Sequence, residues 1–388
     1  MADAEQTLRN LLDKELDARG YKPRDVKIEA ITSGGANYTS KIFLVDVNSP
    51  NKEDLKLFAK VAIINDSMRD IMCADWLFAT ERLTYTKIAK VFDDLQCKYE
   101  IPEEDKLKFP KFYGCCAEHG KETVILENLV PSGYKSLNRF KPMDWEHACA
   151  SVEYIAKFHA LSFAYAKDHP KEFKELTTGM RYELGAKERD EELMKSTWLA
   201  ILNGALAVIK DDQKERVLAY LKSKPKLNTY SEPIDRPVLV HGDFRLSNLL
   251  FKKKENKLNA IAVDFQTVYA GRPTADLIYL IFLGSEEEFR AKHYEALLDF
   301  YYTSLCKMMR KLSVDPTEVY PREQFDKDLK ETQKFAVLIG ATILPTVVVE
   351  NDLRPDDFNY NNFINSPNDL FAKRFSGIIN DCIRWNVI

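Results

Sequence analysis

One stretch constrains this chain more than any other. Val238-Leu239-Val240-His241-Gly242-Asp243-Phe244-Arg245-Leu246-Ser247-Asn248 is followed by Val263-Asp264-Phe265-Gln266, with Asp264 sixteen residues past Asn248. An apolar β-segment delivers a loop that presents Asp243. A second apolar segment, Ile261 to Val263, delivers Asp264, and the chain between reads as a β-hairpin. The run Lys252-Lys253-Lys254 falls where the hairpin turn is expected, as a solvated turn. A carboxylate beside an attacking hydroxyl, with an Asn and an Asp on Mg²⁺, is the minimum set of groups for moving the γ-phosphate of a nucleotide.

Asp243 is the candidate base. It would accept a hydrogen bond from an acceptor hydroxyl and orient it in line with the phosphate; a loose transition state lets the proton leave late, so a weak base suffices. Asn248 and Asp264 are the candidate metal ligands, because hard oxygen donors suit Mg²⁺. Arg245 has two readings: it stabilises charge on the transferring group, or it is a surface arginine. His241 reads as a brace for the loop. Asp276 reads as structural, either capping the helix it begins or accepting hydrogen bonds from the catalytic loop. His159, on the apolar face of 145–163, reads as a satisfied core histidine.

The N-terminal part supplies the other half of a nucleotide site. Ser33-Gly34-Gly35-Ala36-Asn37-Tyr38-Thr39-Ser40 lies between two strand patterns. Gly34 and Gly35 allow close backbone approach to phosphate, and Asn37 and Ser40 add donors. A tight turn would use the same two glycines. No Gly-Lys-Ser/Thr follows, so this is not a Walker-type loop. Lys60 ends the apolar run Leu57-Phe58-Ala59. A lysine among strands needs an anionic partner, and Glu81 on the following helix is the best candidate. The pair would hold the ammonium against the α- and β-phosphates.

Helical spacing (Leu8, Leu11, Leu12, Leu16) opens the chain over 5–19. Strand patterns follow over 41–47 and 55–63 and near 111–117 and 123–126, with helical spacing over 68–95 between them. Beyond Pro131 the chain is mostly helical, with Trp145, Ala148, Val152, Ile155, Ala156, His159 and Phe163 stepping by three and four. Further helices are expected over 190–222, 286–311, 322–347 and 367–384. The organisation is α+β: a β-rich N-terminal lobe with a leading helix, residues 1–130, and a helical C-terminal lobe, residues 131–388. A nucleotide site in a cleft between two such lobes is expected.

These pieces resemble the protein-kinase-like small-molecule kinases, the group of aminoglycoside phosphotransferases and choline/ethanolamine kinases. Within it, Asn37-Tyr38-Thr39-Ser40, the Phe78…Glu81…Tyr85 helix, Val124-Ile125-Leu126-Glu127-Asn128-Leu129 and Asp264-Phe265-Gln266 resemble the ecdysteroid kinase-like family. The resemblance covers roughly 25–300. It implies a two-lobed protein-kinase-like fold, ATP, Mg²⁺ and a small-molecule alcohol as acceptor, an ecdysteroid phosphorylated at a side-chain hydroxyl. It also implies that the backbone of Glu127 to Leu129 reads adenine. Two departures stand out. Choline kinases usually carry an acidic residue where Gln266 stands, and the ecdysteroid kinase-like family often has an aromatic one at Arg245. Choline or ethanolamine phosphorylation, and a catalytically silent hormone-binding protein on the same fold, are the alternatives.

Composition sets the remaining bounds. The 388 residues carry a formal net charge of −4 with no basic block, which argues against nucleic acid as a partner. No window approaches the roughly 18 apolar residues of a membrane span. Seven cysteines without metal spacing, two of them adjacent at Cys115-Cys116, read as reduced thiols in a cytoplasmic protein. A monomer is expected.

Overall fold

Leu8, Leu12 and Leu16 line one face of α1 (Ala2–Ala18) and are buried against the first sheet. Each buried leucine contributes about 2 kcal/mol of transfer free energy. The computed structural model describes residues 2–31, 39–64, 66–180, 191–223, 236–349 and 368–388. Gly34, Gly35 and Asn37 of the first loop lie outside the described residues.

Among the described residues, the chain up to Ala89 and Lys108–Lys135 form the smaller of two compact units. It holds β1 (Asp25–Ile31), β2 (Ser40–Ser49), β3 (Lys52–Ala62), β4 (Phe112–Cys116) and β5 (Thr123–Glu127). They make one antiparallel sheet in the order β1-β2-β3-β5-β4. Alternation along β3 sends Leu57, Ala59 and Val61 to the α1 side, with Phe43, Val45 and Ile125. It sends Lys60 and Ala62 to the other side. There Ala62 packs with Ala74 and Phe78 of α3 (Ala74–Leu83), which follows the short α2 (Asp66–Met72).

The larger unit takes in Lys90–Leu107 and Ser136–Val349, so a single boundary near residue 130 does not capture the division. It holds α4 (Ala89–Lys98, apart from its first residue), α5 (Trp145–Asp168), α6 (Pro170–Thr178), α7 (Glu191–Ala207) and α8 (Asp211–Lys222). Four short strands follow: β6 (Val238–Val240), β7 (Leu249–Lys254), β8 (Lys257–Ala262) and β9 (Tyr269–Gly271). Then come α9 (Pro273–Gly284), α10 (Glu287–Lys311), α11 (Pro316–Val319), α12 (Arg322–Thr332), α13 (Phe335–Thr342), α14 (Leu344–Val348) and α15 (Asp369–Arg384). The helix expected over 322–347 is three helices. Pro345, in the first turn of α14, has no N–H to continue the ladder from α13. Every residue of α9 is buried, which makes it the centre of this unit.

All seven cysteines are free thiols. No described helix is long and apolar enough to cross a membrane.

Candidate active site

In the smaller unit, Lys60 lies opposite Ile42 on one side and Val124 on the other. Ala74, Phe78 and Glu81 fall on one face of α3 and are buried, so the carboxylate faces the side of the sheet to which Lys60 points. Lys60 Nζ donates to Glu81 Oε1 at 2.9 Å, with Glu81 1% exposed. Burial of both ends makes either one costly to leave alone. Ser40 opens β2 and is buried, its Oγ 3.3 Å from the Thr39 hydroxyl. At the end of β5, Glu127 N donates to Lys111 O and Asn128 N to Lys56 O. Leu129 is buried, and its carbonyl accepts from Tyr134 N.

In the larger unit, β6 is wholly buried and pairs with β9, which fixes where the loop after it begins. The loop turns at Gly242, whose φ of +81° belongs to the left-handed region. A Cβ there would meet Thr267 O at 2.3 Å, so only glycine fits. Both adjoining amides are held by one carboxylate: His241 N donates to Asp276 Oδ2 at 2.7 Å and Gly242 N to Oδ1 at 2.9 Å. Asp276 therefore does not cap α9, whose N-cap is Arg272; it reaches back from inside the helix to the loop. His159 Nε2 adds a contact to Asp276 Oδ2 at 3.2 Å.

His241 joins the two parts of the motif. Its Nδ1 accepts from Asp243 N at 3.4 Å, and its Nε2 donates to Val263 O at 3.1 Å, next to Asp264. Those partners select the neutral imidazole with hydrogen on Nε2. The β7–β8 hairpin supplies the second tie. Leu249 pairs with Ala262, and Val263 N donates to Asn248 O at 3.0 Å, which brings Asn248 alongside Asp264. The lysine run lies on β7 just before the two-residue turn, with Lys253 and Lys254 exposed.

Two donors converge on the Asp243 carboxylate. Arg245 Nε lies 3.0 Å from Oδ1 and 3.1 Å from Oδ2, and Asn248 Nδ2 donates to Oδ2 at 2.8 Å. The second Asn248 bond, Nδ2 to Asp243 O at 2.9 Å, leaves the amide oxygen as the side of the group not committed to the loop. Arg245 is neither a surface residue nor directed away from Asp243. Burial works against its charge, but Asp243, Tyr279 and Asp264 outweigh that and hold the guanidinium more firmly protonated than usual. Asp264 itself has φ +67°, a conformation a non-glycine residue keeps only where its surroundings impose it.

A second group of acids lies in the smaller unit. Asp75, His119 and Glu122 have ligand atoms within 4.8 Å of one another. They surround Arg69, whose buried guanidinium bonds to both Asp75 and Glu122. The acids are compensated by that arginine, so the cluster is a structural ion-pair network.

Sequence reasoning gave Asp276 as a possible acceptor from the loop but missed what stands behind it. Tyr301 on α10 lies 2.7 Å from His159 Nδ1, behind Asp276. The available signal was an aspartate inside the otherwise apolar run from Ala275 to Gly284.

No curated protein matches the chain. A solved aminoglycoside 2′-phosphotransferase in complex with GDP is 12% identical and is matched over 86% of this chain and 89% of its own, with a TM-score of 0.45. An ethanolamine kinase from Plasmodium vivax is 15% identical over 87% of this chain and 80% of its own, at 0.41. A microcompartment-associated aminopropanol kinase is 12% identical over 87% and 99%, at 0.34. The family model described as the ecdysteroid kinase-like family matches residues 34–314. That span holds Lys60, Glu81, the loop from His241 to Asn248 and Asp264, and the chain belongs to the ecdysteroid kinase-like family of small-molecule phosphotransferases.

Proposed function

We propose that this protein transfers the γ-phosphate of ATP to a hydroxyl of an apolar alcohol, an ecdysteroid, with Mg²⁺. The observation that carries the proposal is the convergence of Arg245 and Asn248 on Asp243, with the β7–β8 hairpin bringing Asn248 beside Asp264. Asp243 orients the acceptor hydroxyl and takes its proton as the oxygen bonds to phosphorus and the bond to the β–γ bridging oxygen breaks. Arg245 holds the Asp243 carboxylate in place. The residues fit a hard cation, because Asn248 spends its amide hydrogens on Asp243 and offers an oxygen, and Asp264 offers a carboxylate. Mg²⁺ bound there would neutralise charge on the phosphates.

Lys60, oriented by Glu81, contacts the α- and β-phosphates in this reading. Gly34, Gly35, Asn37 and Ser40 approach the phosphates, and the backbone of Glu127 and Leu129 reads the adenine. The Leu129 N–H has no hydrogen-bond partner among the described residues, which leaves a donor for a base edge. The protein would act as a monomer in the cytoplasm.

The test is incubation with ATP, Mg²⁺ and a panel of ecdysteroids, with choline and ethanolamine in competition. A steroid phosphate ester is expected. A phosphorylated choline in its place would reassign the acceptor, and nucleotide binding without transfer to any acceptor would refute the enzyme reading.

A further inference from the structure

Asp276 is the anchor of the catalytic loop, and what fixes Asp276 lies one layer further from Asp243. Its Oδ2 takes two donors, His241 N and His159 Nε2, while Oδ1 takes Gly242 N. A carboxylate with that many partners is held in one rotamer only if each donor stays a donor. The two amides cannot change. The imidazole can, because either ring nitrogen of a neutral histidine can carry the hydrogen.

His159 is fully buried, and so is Tyr301, whose hydroxyl lies 2.7 Å from His159 Nδ1. Asp276 accepts only, so Nε2 must carry a hydrogen to bond to it. Two states of the ring then remain. If Nδ1 is bare, it accepts the Tyr301 hydrogen and all groups are satisfied. If Nδ1 also carries a hydrogen, it donates to the Tyr301 oxygen. The Tyr301 hydrogen then has no acceptor among the described residues, which leaves a buried donor unsatisfied. Burial, followed by the nearby acids Asp276, Cys306 and Asp328, pushes the Tyr301 hydroxyl well above its usual range, so it stays a donor. The ring of Tyr301 also stacks on Phe325 at 5.7 Å, which orients the hydroxyl independently of the bond it makes.

We propose that Tyr301 is a positioning residue: its hydroxyl holds His159 by a bare Nδ1 with Nε2 toward Asp276, and through Asp276 it holds the backbone that presents Asp243. The inference rests on Asp243 as the base, but it makes a claim about His159 that needs no turnover to test. The substitution is Tyr301→Phe in the whole 388-residue chain, which keeps the ring and its stacking and removes one oxygen. The first measurement is ¹⁵N NMR of the histidine side chains, six in all, with His159 assigned by its absence in His159→Gln. In the wild type, His159 should show one bare and one hydrogen-bearing ring nitrogen, with the hydrogen on Nε2. In Tyr301→Phe that signature should give way to the doubly protonated ring.

The second measurement is kinetic. Tyr301→Phe should lower kcat about tenfold with KM for ATP within about twofold, since the loop is misplaced while nucleotide contacts remain. His159→Gln, which can still donate to Asp276, should retain more activity than His159→Leu. A wild-type His159 already protonated on both nitrogens, or a Tyr301→Phe protein with unchanged His159 spectrum and unchanged kcat, would overturn the inference. Failure of the catalytic reading shows separately, as turnover that Asp243→Asn does not affect.

Discussion

Two oxygen-rich clusters in this molecule look alike in composition and differ in how they are held. In the smaller unit, Asp75 and Glu122 converge on Arg69, which is 4% exposed and bonds to both acids. In the larger unit, Asp243 and Asp264 flank Arg245, whose guanidinium bonds to Asp243 and is held charged by both acids. The first cluster is closed: its cation satisfies its anions. The second is held under constraint from outside. Gly242 is forced to φ +81°, Asp264 to φ +67°, and two loop amides are tied down by a buried aspartate. Backbone strain imposed on acids from outside marks a functional site more reliably than their number does.

The comparison can be broken at either end. Asp243→Asn should lower kcat about 10³-fold with the protein still folded and still binding nucleotide; unchanged turnover in a steroid-ester assay would remove the base from the site. Asp264→Ala should abolish Mg²⁺-dependent nucleotide binding in calorimetry, while Asp75→Ala leaves it intact. Equal effects of the two would erase the distinction drawn above. Gly242→Ala should cost about 10² in kcat through displacement of the loop, read from steady-state kinetics beside a melting curve.

Arg69→Met tests the closed cluster. It strands the buried Glu122 carboxylate and should destabilise the protein by about 3 kcal/mol in urea titration. Its kcat per folded molecule should stay within about twofold of wild type, and a larger fall would give the cluster a part in catalysis. His119→Ala, with 65% of the histidine exposed, should change stability by less than ~0.5 kcal/mol and leave Mg²⁺ dependence untouched.

The fold was legible where side-chain periodicity carries it. Leucines three and four apart gave α1, and the apolar strands around Asp243 and Asp264 formed where expected. The Lys60–Glu81 pair was legible as well, because a lysine in an apolar strand needs a partner. The 322–347 region was not, since an apolar helical pattern runs through the breaks between α12, α13 and α14 without registering them. Arg245 was left open because spacing does not say which way a loop side chain turns. It turns back onto Asp243, two residues away.

By itself, the sequence determined the α+β order of elements, the family, and which residue types could carry phosphoryl transfer, since all of these depend on local periodicity and motif spacing. Only the tertiary structure decided that Asp276 serves the loop and not its own helix, that Tyr301 stands behind His159, and that Arg69 neutralises the second acid cluster. Those facts join residues as far apart as 159 and 301, or 69 and 122. A hydrogen bond across such a separation is set by how helices and strands pack, and nothing in the neighbouring residues encodes it.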